Sequence, residues 1–354
     1  MQSMPESKPT LKQRLEYFTL IARKLTLLLI AQIKLARADK VLFFKSIEQQ
    51  MTLMGAHPEV LCAYARCIKH RVRQIQNTTN LRSYLRLIQP MRSPSMEFVR
   101  IGSGSSEAYR REFYGDGGYC MLTPPPLESS STQSGSIDSS KAPIAISLGI
   151  WESSPWDLEM ADKGYRVLEF DASINHSPYP DHPNIHFTKL FVGAQDTPDT
   201  ISFARLMSEV DINPSAHNIL QCDIENAEWE ILDSIDLRLL EHFSQVIFEF
   251  HACNPDDEQG AKLRLRVLEK LRAHFTPIHI HYNNNGDVMI GVIDSEALIF
   301  CSLLEISYLR NDLLPKDAMP VYGYALTNLD MPCVPNKPEI PVIFPKSLES
   351  TDQV

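Results

Sequence analysis

The sequence predicts an α/β protein with a doubly wound, Rossmann-like sheet that is mostly parallel with an antiparallel edge, preceded by a helical segment. Short apolar runs, typical of strands, alternate with segments of helical period, and this alternation indicates a parallel sheet covered on both faces. A length of 354 residues suits one large domain with a smaller attached unit. The predicted strands and helices of the core are Ala145–Ile150, Pro155–Lys163, Tyr165–Phe170, Ile185–Val192, Ile201–Val210, Asn218–Asp223, Ala227–Leu240, Gln245–His251 and Gln259–His274.

Residues 1–95 form a basic N-terminal region that the sequence predicts to be helical. Apolar side chains recur there at three- and four-residue steps, and a second helix is expected from Pro58 to Gln76. The region holds 16 Lys and Arg against five acids, whereas the chain as a whole carries a net charge of −10. We expect a helical cap docked on the acidic body; a membrane-surface helix or an anionic partner is the alternative.

The main domain is expected over residues 96–330. It contains a Pro- and Ser-rich tract at 124–143, whose low apolar content predicts a flexible insertion. After it, Thr276–Tyr282 and Ser302–Leu309 follow without a full crossover helix, which suits a closing antiparallel hairpin or edge. Residues 331–354 form a Pro-rich tail that is expected to wrap the surface.

Seven scattered cysteines without CxxC pairs favour reduced thiols in a cytoplasmic protein over a disulfide framework or a zinc site. The most apolar run, Leu25 to Ile33, is far shorter than the roughly 20 residues that a transmembrane helix needs. A small-x-small sequence, Ala36-Arg37-Ala38, leaves secretion as a minor alternative, although charges interrupt the apolar region before it.

A nucleotide site is expected after the first strand, because doubly wound sheets bind ligands beyond the carboxyl ends of their strands. That strand ends at Gly149, and Ser154, Pro155 and Asp157 provide an N-cap, an N1 proline and a capping-box-like acid for the next helix. Asp171 follows at the tip of the second strand, at the spacing where an acid reaches a ribose.

Carboxylates and histidines follow the fourth and fifth strands. Asp223 and Glu225 lie on one side of an extended segment, and Asp223 is the best candidate for a proton acceptor or metal ligand. The helix dipole alone explains acids at the start of the next helix, Glu228 among them. His251 ends the fifth strand with Glu249 on the same face, and it is a candidate general base.

Several motifs occur in an order that carries a family resemblance. They are RIG with DGGY (100–102 and 116–119), SLGIWESSPWDLEMADKGY, the strand that ends at Asp171, CDIENAEWEIL, VIFEFH and HIHYNN. From Phe98 to Leu309 the chain thereby resembles the FkbM-like methyltransferases that use S-adenosylmethionine (SAM). It departs from them at Asn226, where the family has glycine, and in keeping only Gly149 in the SAM loop; Asn tolerates positive φ better than most residues.

The resemblance implies a methyltransferase sheet, SAM as cofactor and methylation of a hydroxyl on a small molecule, glycan or modified peptide. From the residues themselves, Asp223 and His251 are the candidate catalytic pair. Because an acid and several histidines converge on one sheet edge, a divalent cation, Mg²⁺ or Mn²⁺, could bind Asp223, His251 and His281. The cofactor-binding residues that the resemblance implies are Gly149, Glu152, Asp171, Asp116, Gly117 and Gly118.

Two other functions compete with this one. A nicotinamide-dependent oxidoreductase shares the fold, but the GxGxxG fingerprint does not follow the first strand. A methyltransferase-like domain that has lost activity and acts as a binding scaffold is consistent with the reduced number of glycines. Nucleic acid is not expected as a partner, because the catalytic half lacks interleaved basic and aromatic residues.

Overall fold

A computed structural model describes residues 73–106, 109, 115–126, 142–294, 296–335, 337 and 339–349. The expectations for residues 1–72, for most of the 124–143 tract and for residues 350–354 lie outside this part of the chain. Within it, no helix has both the length and the apolar character required to cross a membrane.

The core is a seven-stranded sheet. Its strands are β1 (Ile144–Leu148), β2 (Arg166–Phe170), β3 (Ile185–Thr188), β4 (Ile219–Cys222), β5 (Gln245–Phe250), β6 (Phe275–Tyr282) and β7 (Leu304–Arg310). They lie in the order β3-β2-β1-β4-β5-β7-β6. Strands β1 to β5 pair in parallel, and the order 3-2-1-4-5 places the switch point between β1 and β4, as in doubly wound folds. The α/β class and the mostly parallel sheet are thus confirmed.

The expected antiparallel pairing of the last two segments is confirmed, since β6 and β7 pair in that way, but the antiparallel strand is not at the edge of the sheet. Strand β7 runs antiparallel to both β5 and β6 and lies between them, so the edge strand β6 has the common direction. After β6 the chain forms a hairpin, Val288–Ile293 with Glu296–Cys301, and re-enters the sheet from the same end. Strand β7 must therefore run antiparallel to β5 and β6, and its position between them gives it hydrogen-bonding partners on both sides.

Helices cover the sheet close to their predicted positions. The expected helix Ala227–Leu240 is divided, because Asp236 caps a separate 3₁₀ helix, Leu237–His242, by accepting from the N–H of Arg238. The α-helices are α1 (Thr78–Ile88), α2 (Pro155–Asp162), α3 (Phe203–Glu209), α4 (Glu228–Ser234) and α5 (Glu258–Arg272). The remaining strands are Arg73–Gln74, Met91–Arg92, Phe98–Gly102, Gly118–Leu122, Phe191–Gly193, Thr200–Ser202, Met319–Pro320, Gly323–Tyr324 and Ile343–Phe344, and two further 3₁₀ helices are Asn311–Leu313 and Lys346–Glu349.

Helix α1 is packed into the main hydrophobic core. One face of it is completely buried, and its Tyr84 ring lies 5.5 Å from the ring of Phe300 in the hairpin after β6. The helix predicted from Pro58 to Gln76 is wrong at its C-terminal end, since Arg73–Gln74 is a strand that pairs with Val288–Ile293. The buried residues of α1 are Leu81, Tyr84, Leu85 and Ile88.

We expect Leu85→Ala to lower the free energy of unfolding by about 2–5 kcal/mol, because the substitution leaves a cavity where a fully buried leucine fills the core. Urea unfolding followed by circular dichroism measures this loss. Ser83→Ala on the partly exposed face of the same helix is the control and should change stability by about 0.5 kcal/mol or less. A loss below about 1 kcal/mol for Leu85→Ala would show that α1 unfolds separately from the sheet.

The start of α2 differs from the predicted capping box. Ser154 is the N-cap and Pro155 the first residue, but the Ser154 side chain makes no capping hydrogen bond. Asp157 is instead completely buried, as is Glu169 of β2. Desolvation and the charge of Asp157 raise the pKa of Glu169. Two acids therefore lie in the core beneath the loop that follows β1.

The Pro-rich segment after residue 330 contributes to the core. Val342 and Phe344 are completely buried, and Ile343–Phe344 pairs with Gly323–Tyr324. Cys333 and Ile340 are also buried. This segment covers the sheet near the end of β6, where Asn284 donates to the carbonyl groups of Val334 and Lys337.

Candidate active site

Unusual backbone conformations concentrate at the carboxyl edge of the sheet. Of the five non-glycine residues with positive φ in the described chain, four lie directly after β1, β4 or β5. Asn226 has φ 84°, which agrees with the glycine that the resembled family has there. Such conformations cost about 1–3 kcal/mol each and cluster at functional sites. The four are Trp151, Glu225, Asn226 and Ala252.

Gly149 is required by a close approach of two loops. Its φ is +81°, and a Cβ added to it would lie 1.7 Å from the carbonyl oxygen of Asp223. The N–H of Asp223 donates to Leu148 at 2.9 Å, and the N–H of Gly149 donates to Phe170 at 3.1 Å. Only glycine fits here, so the expected SAM loop is in direct contact with the loop that carries Asp223. Glu152 is exposed on the same loop.

Asp171 lies at the end of β2 as expected, and its carboxylate holds the loop after β1. Oδ2 accepts from the N–H groups of Ile150 at 3.0 Å and Trp151 at 2.9 Å, while Oδ1 accepts from the N–H of Ser173 at 2.7 Å. Burial by itself raises the pKa of Asp171, but hydrogen bonds from Ser173, Trp151 and Ile150 outweigh it and lower the pKa. The acid is therefore ionised and fixes the loop's shape.

Helix α4 holds His251 by two side chains. Glu228 Oε1 accepts from the backbone N–H of His251 at 2.8 Å and lies 2.9 Å from its Nδ1. Trp229 Nε1 donates to the His251 carbonyl at 2.8 Å and stacks on Phe250. The adjacent Glu and Trp of the ENAEW motif thus fix both the backbone and the ring of His251, a role of Glu228 that the sequence analysis missed.

The other ring nitrogen of His251 is turned toward carboxylates. Nε2 lies 3.4 Å from Glu225 Oε2 and 3.8 Å from Asp223 Oδ1. Burial by itself lowers the pKa of His251, but the hydrogen bond to Glu228 and the charges of Glu228, Asp223 and Glu225 raise it overall. Desolvation raises the pKa of Asp223 to about 7, against the lowering effect of His251. The Asp223 carboxyl can therefore exchange a proton near neutral pH.

The DGGY turn lies close enough to act on these acids. The charge of Asp116 raises the pKa of both Asp223 and Glu249. Arg100 of the RIG motif fixes the turn, because its guanidinium donates to the carbonyls of Ser103 and Gly115 at 2.6 Å each. Gly118 and Gly117 belong to the same turn, and a Cβ on Gly118 would meet the Ser103 carbonyl at 2.2 Å. The structure thereby brings the predicted Asp116 toward Asp223 and His251.

The three residues expected to share a metal are divided between two groups. Asp223 and His251 are joined by Glu249, and their ligand atoms lie within 4.8 Å of one another. His281 lies in a second group with Glu305 and Cys333, so its assignment to the first group is corrected. Because β7 is inserted between β5 and β6, His281 pairs across strands with Glu305 and not with a residue of β5.

Glu249 belongs to the first group and lies next to the second. It lies opposite Glu305 in the pairing of β5 with β7, and it is buried. Asn283 Nδ2 donates to Glu249 at 2.8 Å and to Glu305 at 3.3 Å. Desolvation and the charges of Asp223, Glu305 and Asp116 raise the pKa of Glu249 well above its usual range. Its position two residues before His251 was the sequence signal for it.

Comparisons with known proteins add no assignment. No protein-family model matches the chain, and no curated protein matches it. What can be said of function therefore comes from the residues at this edge of the sheet.

Proposed function

We propose that the protein is a SAM-dependent methyltransferase that methylates a hydroxyl group at the carboxyl ends of β4 and β5. The observation that carries the proposal is the contact between the Gly149 loop and Asp223, which brings a nucleotide-type loop directly beside an acid–imidazole site. Strand order supports it as well, since ligands of doubly wound sheets bind at the switch point, here between β1 and β4.

The residues around the Gly149 loop fit the donor. Asp171 holds the loop in a fixed shape, and Trp151 exposes 55% of its surface there, a flat apolar face beside the strand ends. Asp171 acts on the donor through this loop, because its carboxylate accepts from the N–H groups of Ile150 and Trp151. SAM, when bound, supplies an electrophilic methyl group.

His251 is the base in this proposal. Glu228 Oε1 accepts a hydrogen bond from Nδ1–H, and this fixes the tautomer in which Nε2 carries the lone pair. Nε2 can then accept the hydroxyl proton of the acceptor, while Asp223 stabilises the imidazolium that forms. Glu228 is a positioning residue, because it acts through His251.

A divalent cation is the second version of the same site. Asp223, Glu249 and His251 offer two carboxylates and an imidazole within 4.8 Å, a donor set suited to Mg²⁺ or Mn²⁺. Such an ion acidifies a bound hydroxyl by Lewis acidity. Activity that is lost in EDTA and restored by Mg²⁺ or Mn²⁺ supports the ion, and activity unchanged by EDTA assigns the proton to His251 alone.

The deciding experiment is calorimetric titration of the full chain with SAM. We expect binding by the wild type, and we expect Asp171→Ala to weaken it by about 1.5–3 kcal/mol, the scale of hydrogen bonds to a charged group. Glu230→Ala, an exposed acid on α4, is the control and should leave affinity unchanged. An absence of SAM binding by the folded wild type contradicts the proposal and favours the non-enzymatic scaffold.

A further inference from the structure

A second group of ligand-type side chains lies beside the first, outside the residues used above for methyl transfer. His281 of β6, Glu305 of β7 and Cys333 are all buried, with exposures of 3%, 6% and 1%. Cys333 and the neighbouring Glu339 come from the Pro-rich segment, whereas His281 and Glu305 come from the sheet. The group therefore joins two parts of the chain that are distant in sequence.

Its atoms are already drawn together by hydrogen bonds. His281 Nδ1 lies 2.7 Å from Glu305 Oε2, and the thiol of Cys333 donates to Glu305 Oε1 at 3.0 Å. One ligand atom from each of the three residues can be chosen so that all lie within 4.8 Å. Ligands of a tetrahedral Zn²⁺, bound at about 2.0–2.3 Å, are separated by about 3.4–3.7 Å, so side-chain shifts of less than about 1 Å would admit the ion.

We propose that His281 Nδ1, a carboxylate oxygen of Glu305 and Cys333 Sγ form a binding site for Zn²⁺. A thiolate, an imidazole and a carboxylate are the donors that zinc prefers, and a thiolate disfavours Mg²⁺ and Ca²⁺. The proposal is independent of the proposed methyltransferase activity, since none of these residues takes part in it.

Glu339 would hold one of the zinc ligands in place without binding the ion itself. Its Oε1 lies 2.9 Å from His281 Nε2, the nitrogen that the ion would not use. A carboxylate that accepts the second N–H of a zinc-bound histidine fixes the tautomer and orients the ring. The arrangement thus has both the ligands and the outer carboxylate that zinc sites contain.

The exchange of protons for zinc balances in charge. His281 Nδ1 faces Glu305 and Nε2 faces Glu339, so these two carboxylates stabilise a ring with a proton on each nitrogen in the metal-free protein. The Cys333 thiol donates to Glu305 Oε1 and therefore carries its proton. Binding of one Zn²⁺ releases the Nδ1 proton and the thiol proton, and the net charge of the group stays the same.

Three protein ligands leave a fourth position on a tetrahedral ion. The three ligands would connect the Pro-rich segment, through Cys333, to two sheet strands. Asn283, which donates to both Glu305 and Glu249, links this site to the Asp223–His251 group. The zinc site would therefore fasten the segment after residue 330 beside the proposed acceptor site.

Cobalt titration of the full chain tests the site, because tetrahedral Co²⁺ with a thiolate ligand shows a sulfur-to-cobalt charge-transfer band. After dialysis against EDTA, we expect one equivalent of Co²⁺ to produce this band and Zn²⁺ to displace it. Cys333→Ser should abolish the band. Cys120→Ser, which alters a buried cysteine in the strand Gly118–Leu122, and Asp223→Asn, which alters the other group, should both keep it.

Glu339→Gln provides a second measure if Cys333→Ser does not fold. It leaves the three ligands in place, and we expect zinc affinity, measured by competition with a chromophoric chelator, to fall by about 10–100-fold. The proposal is overturned if the wild type shows no thiolate band, if the band persists in Cys333→Ser, or if Glu339→Gln binds zinc as tightly as the wild type.

Discussion

His251→Ala is expected to lower turnover by about 10²–10⁴-fold while SAM affinity changes little, because the imidazole is the proposed base and lies on the acceptor side of the site. Single-turnover methyl transfer to an identified hydroxyl acceptor measures the loss, and calorimetry measures SAM binding. Glu228→Gln should lower turnover as well, since it removes the charge that stabilises the imidazolium. Glu230→Gln, two residues further along α4, is the control and should keep full turnover.

The pH dependence of turnover separates a base from a residue that is merely structural. As a base, His251 must be neutral, so turnover should rise with pH through the raised pKa of His251. Removal of the Glu228 charge lowers that pKa, and the acid limb in Glu228→Gln should move to lower pH. Full turnover in His251→Ala, or a Glu228→Gln profile that does not move, would remove the pair from the reaction.

Gly149→Ala is the substitution with the largest expected effect on the fold around the site. The new methyl group would lie 1.7 Å from the backbone oxygen of Asp223, and the residue would keep a φ of +81°. Left-handed backbone costs about 1–2 kcal/mol and overpacking about 1–3 kcal/mol, so we expect a loss of stability of about 2–5 kcal/mol. SAM affinity should fall with it, because the loop after β1 must move away from Asp223.

Gly323→Ala is a matched control for this substitution. Gly323 has a φ of +76°, but a Cβ there would meet nothing within 4 Å. It therefore carries the backbone cost without the collision, and urea unfolding should show a loss of about 1–2 kcal/mol with SAM affinity unchanged. If the two variants are equally stable, the contact between the Gly149 loop and Asp223 is not tight in solution.

The sequence predicts most of the sheet because strands buried on both faces leave a strong apolar pattern. It also places Asp171, Asp223 and His251 at strand ends, since each directly follows such a run. No comparable sequence pattern shows in which direction a side chain on a short helix points. Glu228 could equally have been a solvated acid near a helix start, and only the packing of α4 against β5 turns it toward His251.

The order of the strands across the sheet could not be predicted from the sequence. Alternation predicts how many strands there are, but the insertion of β7 between β5 and β6 depends on how the hairpin after β6 returns. The position of β7 pairs His281 with Glu305 and separates His281 from the Asp223 group. The sequence predicts a helical region docked on the body, but it does not predict where α1 enters the core, because its apolar stripe resembles that of any amphipathic helix.

The buried acids Asp157 and Glu169 make the folded protein more stable in acidic than in alkaline solution. The pKa of Glu169 is raised in the folded chain and returns to its ordinary value on unfolding. The protonated carboxyl of Glu169 contributes its full stabilisation of the fold when the pH is below the ordinary pKa. This stabilisation is lost as the pH rises toward the raised pKa. Alkaline solution should therefore loosen the region between α2 and β2 first, directly under the loop that Asp171 holds, and ligand binding there should weaken before the sheet itself unfolds.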